Sequence, residues 1–248
     1  MGDTRPVYQR IADELRDRID SGELKVGAQI PSRSELKRAY AASDQTVDRA
    51  VRVLKAAGYA QGQFGRGVFV TDRTPLGTLL RDTGTVDTPF AARISTPDTA
   101  VAWEATSVTT PAPRHVAERL GIAAGDRVMC TRYEYLADRR PVQLATSWEP
   151  LARTEGTDVV FPERGPYARR GVRGRMAAIG IRVVRAAEIV GSRAATSAEA
   201  EALGCAPGQC LTVVERTHYD ADDRPVETSD VVVRADRWRL EYSIDFTG

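Results

Sequence analysis

Between residues 43 and 52 the chain sets polar side chains along one stretch of helical spacing: Ser43, Asp44, Gln45 and Thr46 in succession, then Asp48, Arg49 and Arg52. Carboxamide, hydroxyl, carboxylate and guanidinium groups so arranged can read the donors and acceptors on base edges and grip phosphates. A second group lies far downstream. Tyr133, Tyr135 and Trp148, with Ser147, Arg216, His218 and Arg93, offer stacking surface and a polar or cationic anchor, the chemistry of a site for an amphipathic, partly aromatic small molecule. No catalytic constellation accompanies them: there is no Gly-x-Ser-x-Gly and no metal-ligand spacing. The glycine-rich "GQFGRG" lacks the strand-to-helix context of a phosphate loop. Cys130, Cys205 and Cys210 are an odd set without C-x-x-C spacing, so buried reduced thiols are expected rather than a disulfide framework or a metal site.

The first seventy residues supply a scaffold for the first group. Val7, Ile11, Leu15 and Ile19 recur on one helical face, and Gly22 stands where that helix would end. In "PSRSELKRAY", Ser32 and Glu35 have capping-box spacing, which predicts a short second helix with Leu36, Ala39 and Tyr40 inward. After the turn "AAS", Ser43 caps a third helix whose Val47, Ala50, Val51 and Leu54 face the core. Gly58 closes it, and "YAQGQFGRGVFV" reads as two strands around the turn Gly62 to Gly67. Three helices and a hairpin make a winged helix-turn-helix. In that geometry the third helix enters the major groove, while the wing lays backbone on phosphates or puts Arg66 into the minor groove. Gly65 and Gly67 permit the dihedrals and close approach such a turn needs. The competing reading is a winged helix used for protein contacts.

Asp44 and Asp48 are unexpected on a face that meets phosphates. A carboxylate near a helix start is favoured by the helix dipole, and in the groove it can accept a hydrogen bond from a cytosine amino group. Asp44 can therefore read a base, with Gln45 pairing to adenine. Asp48 can instead orient Arg52 or Lys55, at i+4 and i+7, or Arg49 beside it. The sequence leaves both roles open.

Residues 71 to 89, "TDRTPLGTLLRDTGTVDTP", carry turn formers, charges and little apolar periodicity, as a linker would. Beyond them strands and helices alternate: a strand "AVAWEATSVTT", a helix from about 113 to 120, two strands meeting at "ADRRP", a glycine-interrupted helix near 166–179, a strand "IRVVRAAEIV", a helix at 196–203 and a final hairpin. This half contains a duplication. "AERLGIAAGDRVMCTRYEYLADRRPVQ" aligns with "AEALGCAPGQCLTVVERTHYDADDRPVE" at an offset of 83, becoming 84 after one inserted residue. Leu120, Gly121, Gly125, Asp138, Arg140, Pro141 and Val142 meet Leu203, Gly204, Gly208, Asp222, Arg224, Pro225 and Val226, and Tyr133 and Tyr135 become counterparts of Arg216 and His218. Two such units can pair into one antiparallel sheet with packed helices and an open cleft.

"IPSRSEL…SDQTVDRAVRVLKAAGYAQGQFGRGVFV" resembles the DNA-binding domain of the GntR superfamily of bacterial transcriptional regulators over residues 7 to 70. "YLADRRPVQLATSWEP", with "ADDRPVETSDVVVRADRWRLEY" behind it, resembles the UTRA effector-binding domain of the HutC subfamily, and most closely its actinomycete members. The two resemblances imply an α+β chain: a winged helix-turn-helix over 1–71, a linker over 72–89, and a chorismate-lyase-like antiparallel-sheet domain with packed helices over 90–248. They further imply a homodimer joined through the effector domains, presenting two heads to a pseudo-palindromic double-stranded operator under the control of a small-molecule effector. The implied DNA contacts are Arg33, Ser34, Ser43, Asp44, Gln45, Thr46, Arg49, Arg52, Gly65, Arg66 and Gly67. Many relatives carry Arg where this chain has Ser34, Asp44 and Asp48, and Arg33 stands one place before the usual arginine. Sugar-phosphate-binding relatives carry Arg at the positions of Tyr133 and Tyr135 and Glu at that of Ala145, so a phosphosugar effector is disfavoured.

The totals agree with a regulator. At 248 residues, 28% charged and 42% hydrophobic, the chain has room for two cores. Residues 1–71 carry 12 Lys+Arg against 9 Asp+Glu and the remainder 23 against 25, a modestly basic head on a slightly acidic body. There is no run of 18 apolar residues and no signal-peptide centre in "MGDTRPVYQR", so neither membrane insertion nor export is expected and a cytoplasmic protein is. No cofactor is called for. The alternatives are an enzyme of chorismate-lyase-like fold, or a regulator whose second domain only dimerises.

Overall fold

The computed structural model describes residues 5–63, 65–72, 77–81 and 100–244. It separates into two compact units, Met1–Pro75 with Ala194–Leu211, and Leu76–Arg193 with Thr212–Gly248. Among the described residues no helix is long and apolar enough to cross a membrane.

The N-terminal part is built from α1 (Val7–Asp20), α2 (Arg33–Tyr40), α3 (Asp44–Ala56) and the strands β1 (Ala60–Gln63) and β2 (Gly67–Val70). Its core is the set that the helical periodicity picks out: Ile11, Leu15, Val47 and Ala50 have no exposure, and Leu36 and Leu54 nearly none. Each buried Val, Leu or Ile side chain is worth about 1.5–3 kcal/mol. Ala39 departs from expectation and is exposed. A two-turn helix has room for one inward row, and Leu36 with Tyr40, at i and i+4, fills it. Ser32 caps α2 through the expected reciprocal box with Glu35, and Ser43 caps α3 through the amide of Thr46. β1 and β2 pair antiparallel, with Ala60 opposite Val70 and Gln63 opposite Gly67. The loop after α1 joins them by backbone bonds from Gly27 to Val70 and from Ile30 to Val68, both 2.9 Å.

The body is a six-stranded sheet in the order β4-β5-β6-β9-β8-β7, with β4 Val101–Pro111, β5 Arg127–Ala137, β6 Arg140–Pro150, β7 Val183–Ala194, β8 Cys210–Asp220 and β9 Pro225–Arg234. The duplication explains that order. One copy runs β4, α4 (Arg114–Leu120), β5, β6; the other runs β7, α7 (Ser197–Ala202), β8, β9. They meet where β6 pairs antiparallel with β9. Thr146 and Asp230 are both register partners and, at an offset of 84, repeat equivalents, so a pseudo-twofold axis passes through that pair. The repeated glycines have a backbone reason: Gly121 and Gly204 sit at φ 63° and 61°, and Gly125 and Gly208 at 93° and 81°. The inserted residue falls in the second hairpin turn. In the first, Asp138 and Arg139 are both left-handed, as a two-residue turn requires; in the longer second one only Asp223 is.

The sheet has two working faces. α4 covers one, with Val116, Ala117 and Leu120 on Val128, Cys130 and Trp148. On the other lie Tyr133, Tyr135, Ala145, Val214 and Val231. Over this second face runs a parallel ribbon of β3 (Gly77–Leu80) and β10 (Trp238–Glu241), whose Leu79, Trp238 and Leu240 pack with Tyr135 and Val233. β3 is a strand inside the span expected to be linker. Two short helices follow β6, α5 (Leu151–Thr154) and α6 (Gly171–Ala178), the latter shorter than the expected 166–179 because Gly165 and Gly171 both take positive φ. Cys130 and Cys205 are buried thiols, whereas Cys210, at the start of β8, is exposed.

Candidate functional site

In the head, the residues expected to touch DNA lie on α2, on α3 with its cap residue, and in the wing. Gln45, Arg49 and Arg52 are exposed on α3 and Thr46 is half-buried. Ser43 is committed to its cap, its hydroxyl 2.9 Å from that of Thr46. Arg49 stacks on Tyr8, 3.9 Å from its ring, so α1 fixes its direction. Arg33, Ser34, Lys37 and Arg38 of α2 line a depression with Asp44.

The two aspartates have partners that differ from those expected. Asp44 accepts from Lys37 at 2.7 Å, and Asp48 pairs with Arg33 at 2.7 Å. Both cations come from α2, not from the i+4 or i+7 positions of α3; Arg52 does reach Asp48, but through its backbone oxygen at 3.4 Å. The hydrogen bond from Lys37 holds the Asp44 carboxyl below the usual carboxylate range. Each carboxylate is thus matched by a cation on the neighbouring helix, and the surface carries alternating charge rather than an acidic patch.

In the wing, Gly65 and Gly67 take φ of 69° and 117°. The Gln29 amide donates to the Arg66 carbonyl at 3.2 Å, and a Cβ at Gly67 would stand 2.4 Å from that same amide nitrogen. The dihedral therefore favours glycine there, and a side chain would also displace the Gln29 amide from the Arg66 carbonyl. Arg66 itself is exposed, its guanidinium 5.7 Å from the Phe69 ring.

In the body, the strand register decides which expected effector residues share a face. Tyr133 lies opposite Ala145 and Thr131 opposite Ser147, so Tyr133, Tyr135, Ala145 and Ser147 point one way. Tyr133 and Tyr135 stack, with centroids 5.6 Å apart and planes at 14°. Trp148 points the other way. It packs beneath α4, edge-on to His115 and 5.8 Å from the Arg119 guanidinium, and is not part of the tyrosine face. Its place is taken by Trp103, which the sequence reading missed: Trp103 lies opposite Tyr135, 6.3 Å between rings, and its indole donates to Glu163 at 3.2 Å. Arg93 lies outside the described residues.

Every expected polar anchor on this face has a buried partner. Ser147 donates to Glu227 at 2.7 Å, and His218 Nδ1 is 2.7 Å from the other oxygen of the same carboxylate. Burial pushes Glu227 up, but the bonds from His218 and Ser147 outweigh it and its carboxyl is held low. The carboxylate stands between the hydroxyl and the imidazole, so His218 cannot take the proton of Ser147 as a catalytic base would. Arg216 pairs with Glu188, and Arg175 forms a bidentate pair with Glu149 at 2.7 and 2.9 Å. Burial pushes the Tyr133 phenol up, so it stays neutral. Among the described residues no cluster of His, Cys, Asp and Glu has the arrangement to hold a metal.

A winged helix-turn-helix followed by an antiparallel sheet with one aromatic, polar-rimmed face defines the class of DNA-binding regulators with a ligand-type domain. The comparisons with known proteins narrow it. Residues 7–70 match the family described as "Bacterial regulatory proteins, gntR family", and residues 101–239 match the UTRA domain. A Shigella flexneri protein named "Probable fructoselysine utilization operon transcriptional repressor" is 30% identical over 236 residues, covering 94% of this chain and 93% of that one. The HTH-type transcriptional regulator Rv0792c of Mycobacterium tuberculosis is 27% identical over 98% of this chain and 87% of its own. A crystal structure of a GntR-family transcriptional regulator superimposes with TM-score 0.74 at 38% identity, covering 98% and 99% of the two chains. PhnF from Mycobacterium smegmatis shares the fold at TM-score 0.58 and 20% identity, over 96% and 100%. The chain belongs to the GntR family, in its UTRA-bearing HutC branch, and is a DNA-binding transcriptional regulator rather than an enzyme.

Proposed function

We propose that the protein is a cytoplasmic homodimeric repressor, released from operator DNA by an amphipathic, partly aromatic effector bound on the Tyr133–Tyr135 face. The observation that carries this reading is the row Trp103, Tyr135, Tyr133, which offers stacking surface on one sheet face, with Arg216 and His218 on β8, beyond β6 and β9 in the same sheet. Ala145 at its floor and tyrosines at the two flanking positions leave no arginine pair for a sugar phosphate there. On the head, Gln45, Thr46, Arg49 and Asp44 meet bases or adjacent phosphates, while Arg33, Arg52, Arg66 and the wing backbone fix register. For the dimer, the edge strand β7 exposes Val184, Ile189 and Val190, at 48%, 70% and 50%, a surface suited to a second copy.

Release needs little energy. An effector that binds the DNA-incompetent arrangement ~100-fold better shifts the equilibrium by ~2.7 kcal/mol, within the range of ordinary allosteric coupling. The alternative in which the body only dimerises draws on the fact that Arg175, Arg216 and His218 already have carboxylate partners. A screen of aromatic small molecules against operator-bound protein separates the two. The proposal expects at least one compound to release DNA from the wild type and to lose that effect in Tyr133→Ala, whose operator affinity without compound is unchanged. Release that persists in Tyr133→Ala moves the site elsewhere, and no release by any compound favours the dimerisation platform.

A further inference from the structure

Glu188, on β7, lies between two buried guanidiniums. Arg81, the residue after β3, donates to it from Nε at 3.3 Å and also from Nη2, and Arg216 of β8 donates from Nε. Tyr242, just beyond β10, donates to the same carboxylate at 2.8 Å. The side chains of Arg81, Glu188 and Arg216 are 2%, 8% and 9% exposed. One carboxylate on the sheet therefore fastens both strands of the β3–β10 ribbon, and it shares that duty with Arg216, a candidate effector contact.

Among the described residues, β3 is the first element after the wing strand β2, and the next strand of the body is β4.

The cluster holds one buried donor without an aligned acceptor. Nη2 of Arg216 lies within ion-pair range of Glu188 yet has no aligned hydrogen bond. An added group made of acceptor oxygens satisfies that donor, and in doing so competes with Glu188 for Arg216.

We propose that Glu188 is a clasp that holds the β3–β10 ribbon on the sheet, and that the effector opens it by presenting a carboxylate or similar anionic group to Arg216, so that Arg81 and β3 come away from the sheet. This rests on the proposed effector face and dimer, and it adds the chemical group that triggers release and the strand that transmits it. Glu188 and Arg81 act as positioning residues. Neither reads DNA.

Hydrogen exchange followed by mass spectrometry on the full chain tests it without DNA. In Glu188→Gln, amides of 77–81 and 238–242 are expected to exchange at least ~10-fold faster while those of β5, β6 and β9 keep their rates. Arg81→Gln, which leaves the Arg216–Glu188 pair in place, must give the same local pattern. Unchanged ribbon rates, or acceleration spread evenly over the sheet, overturn the clasp. For the trigger, benzoate and phenylacetate are added to the wild type beside their primary amides. Faster ribbon exchange with the carboxylates alone is expected; no acceleration, or equal acceleration by the amides, overturns an anionic trigger. A clasp that behaves as expected in a protein whose operator binding no small molecule alters would count against the proposed function and not against the clasp.

Discussion

The same chemical pair, a guanidinium on a carboxylate, occurs in both halves of the molecule and does different things in each. In the head, Arg33 and Asp48 meet at 2.7 Å with side chains 62% and 41% exposed. In the body, Arg175 and Glu149 meet at 2.7 Å with both side chains 2% exposed. An exposed pair contributes about 0–1 kcal/mol and is screened by salt, so its arginine can be re-partnered by a phosphate at little expense. A buried pair cannot exchange freely: removing one partner strands a desolvated charge. The reading surface is thus electrostatically soft and the ligand-type domain electrostatically set.

The largest test of that contrast is Arg175→Ala. It leaves Glu149 buried and unpaired and is expected to destabilise the body by about 3–5 kcal/mol, measured by denaturant unfolding. Replacing both partners, Glu149→Gln with Arg175→Met, should recover much of the loss. If the single variant is as stable as the wild type, the pair is not structural.

Acid provides the next largest effect. Burial raises Glu188, but Arg216 and Arg81 more than offset it and hold its carboxyl at about 2 against an ordinary 4.5. A depressed folded-state value means that its stabilisation is complete above about 4.5 and is lost as pH falls toward 2. Melting temperature should therefore drop across that window, and the drop should be shallower in Glu188→Gln. Parallel curves for the two proteins would remove Glu188 from the account.

Smaller effects lie on the head. Gln45→Ala should cost about 1–3 kcal/mol of discrimination at a single base pair and leave random duplex binding alone. Asp48→Asn, which frees Arg33, should change stability by under about 1 kcal/mol while raising affinity for random duplex and steepening the salt slope. If Asp48→Asn instead relaxes preference at one base pair, the carboxylate reads a base.

What could be foreseen follows what is local. Helical periodicity found the core residues Ile11, Leu15, Val47 and Leu54, and the capping box of Ser32 and Glu35 is a feature of four consecutive residues. The internal repeat announced a symmetric sheet, and the β6–β9 pairing is what it implied. The partners of Asp44 and Asp48 were hidden because they arrive from α2, through packing rather than spacing. β3 was hidden because four residues that pair in parallel with β10, at the far end of the chain, leave no short-range pattern. Trp148 could have been placed: it stands three residues from Ala145, which lies opposite Tyr133, so strand alternation already sends it to the other face. Trp103 needed the β4–β5 register, which no turn sets.

The most direct test of the central claim is a fluorescence-anisotropy titration of the purified protein on labelled DNA from upstream of its own gene, at several salt concentrations, with random duplex as control. Tight binding that exceeds the control and weakens with salt, with a shallower slope in Arg66→Ala, is the predicted result. Equal and weak binding to both DNAs, unchanged by Arg66→Ala, would contradict it and point to a wing used for protein contacts.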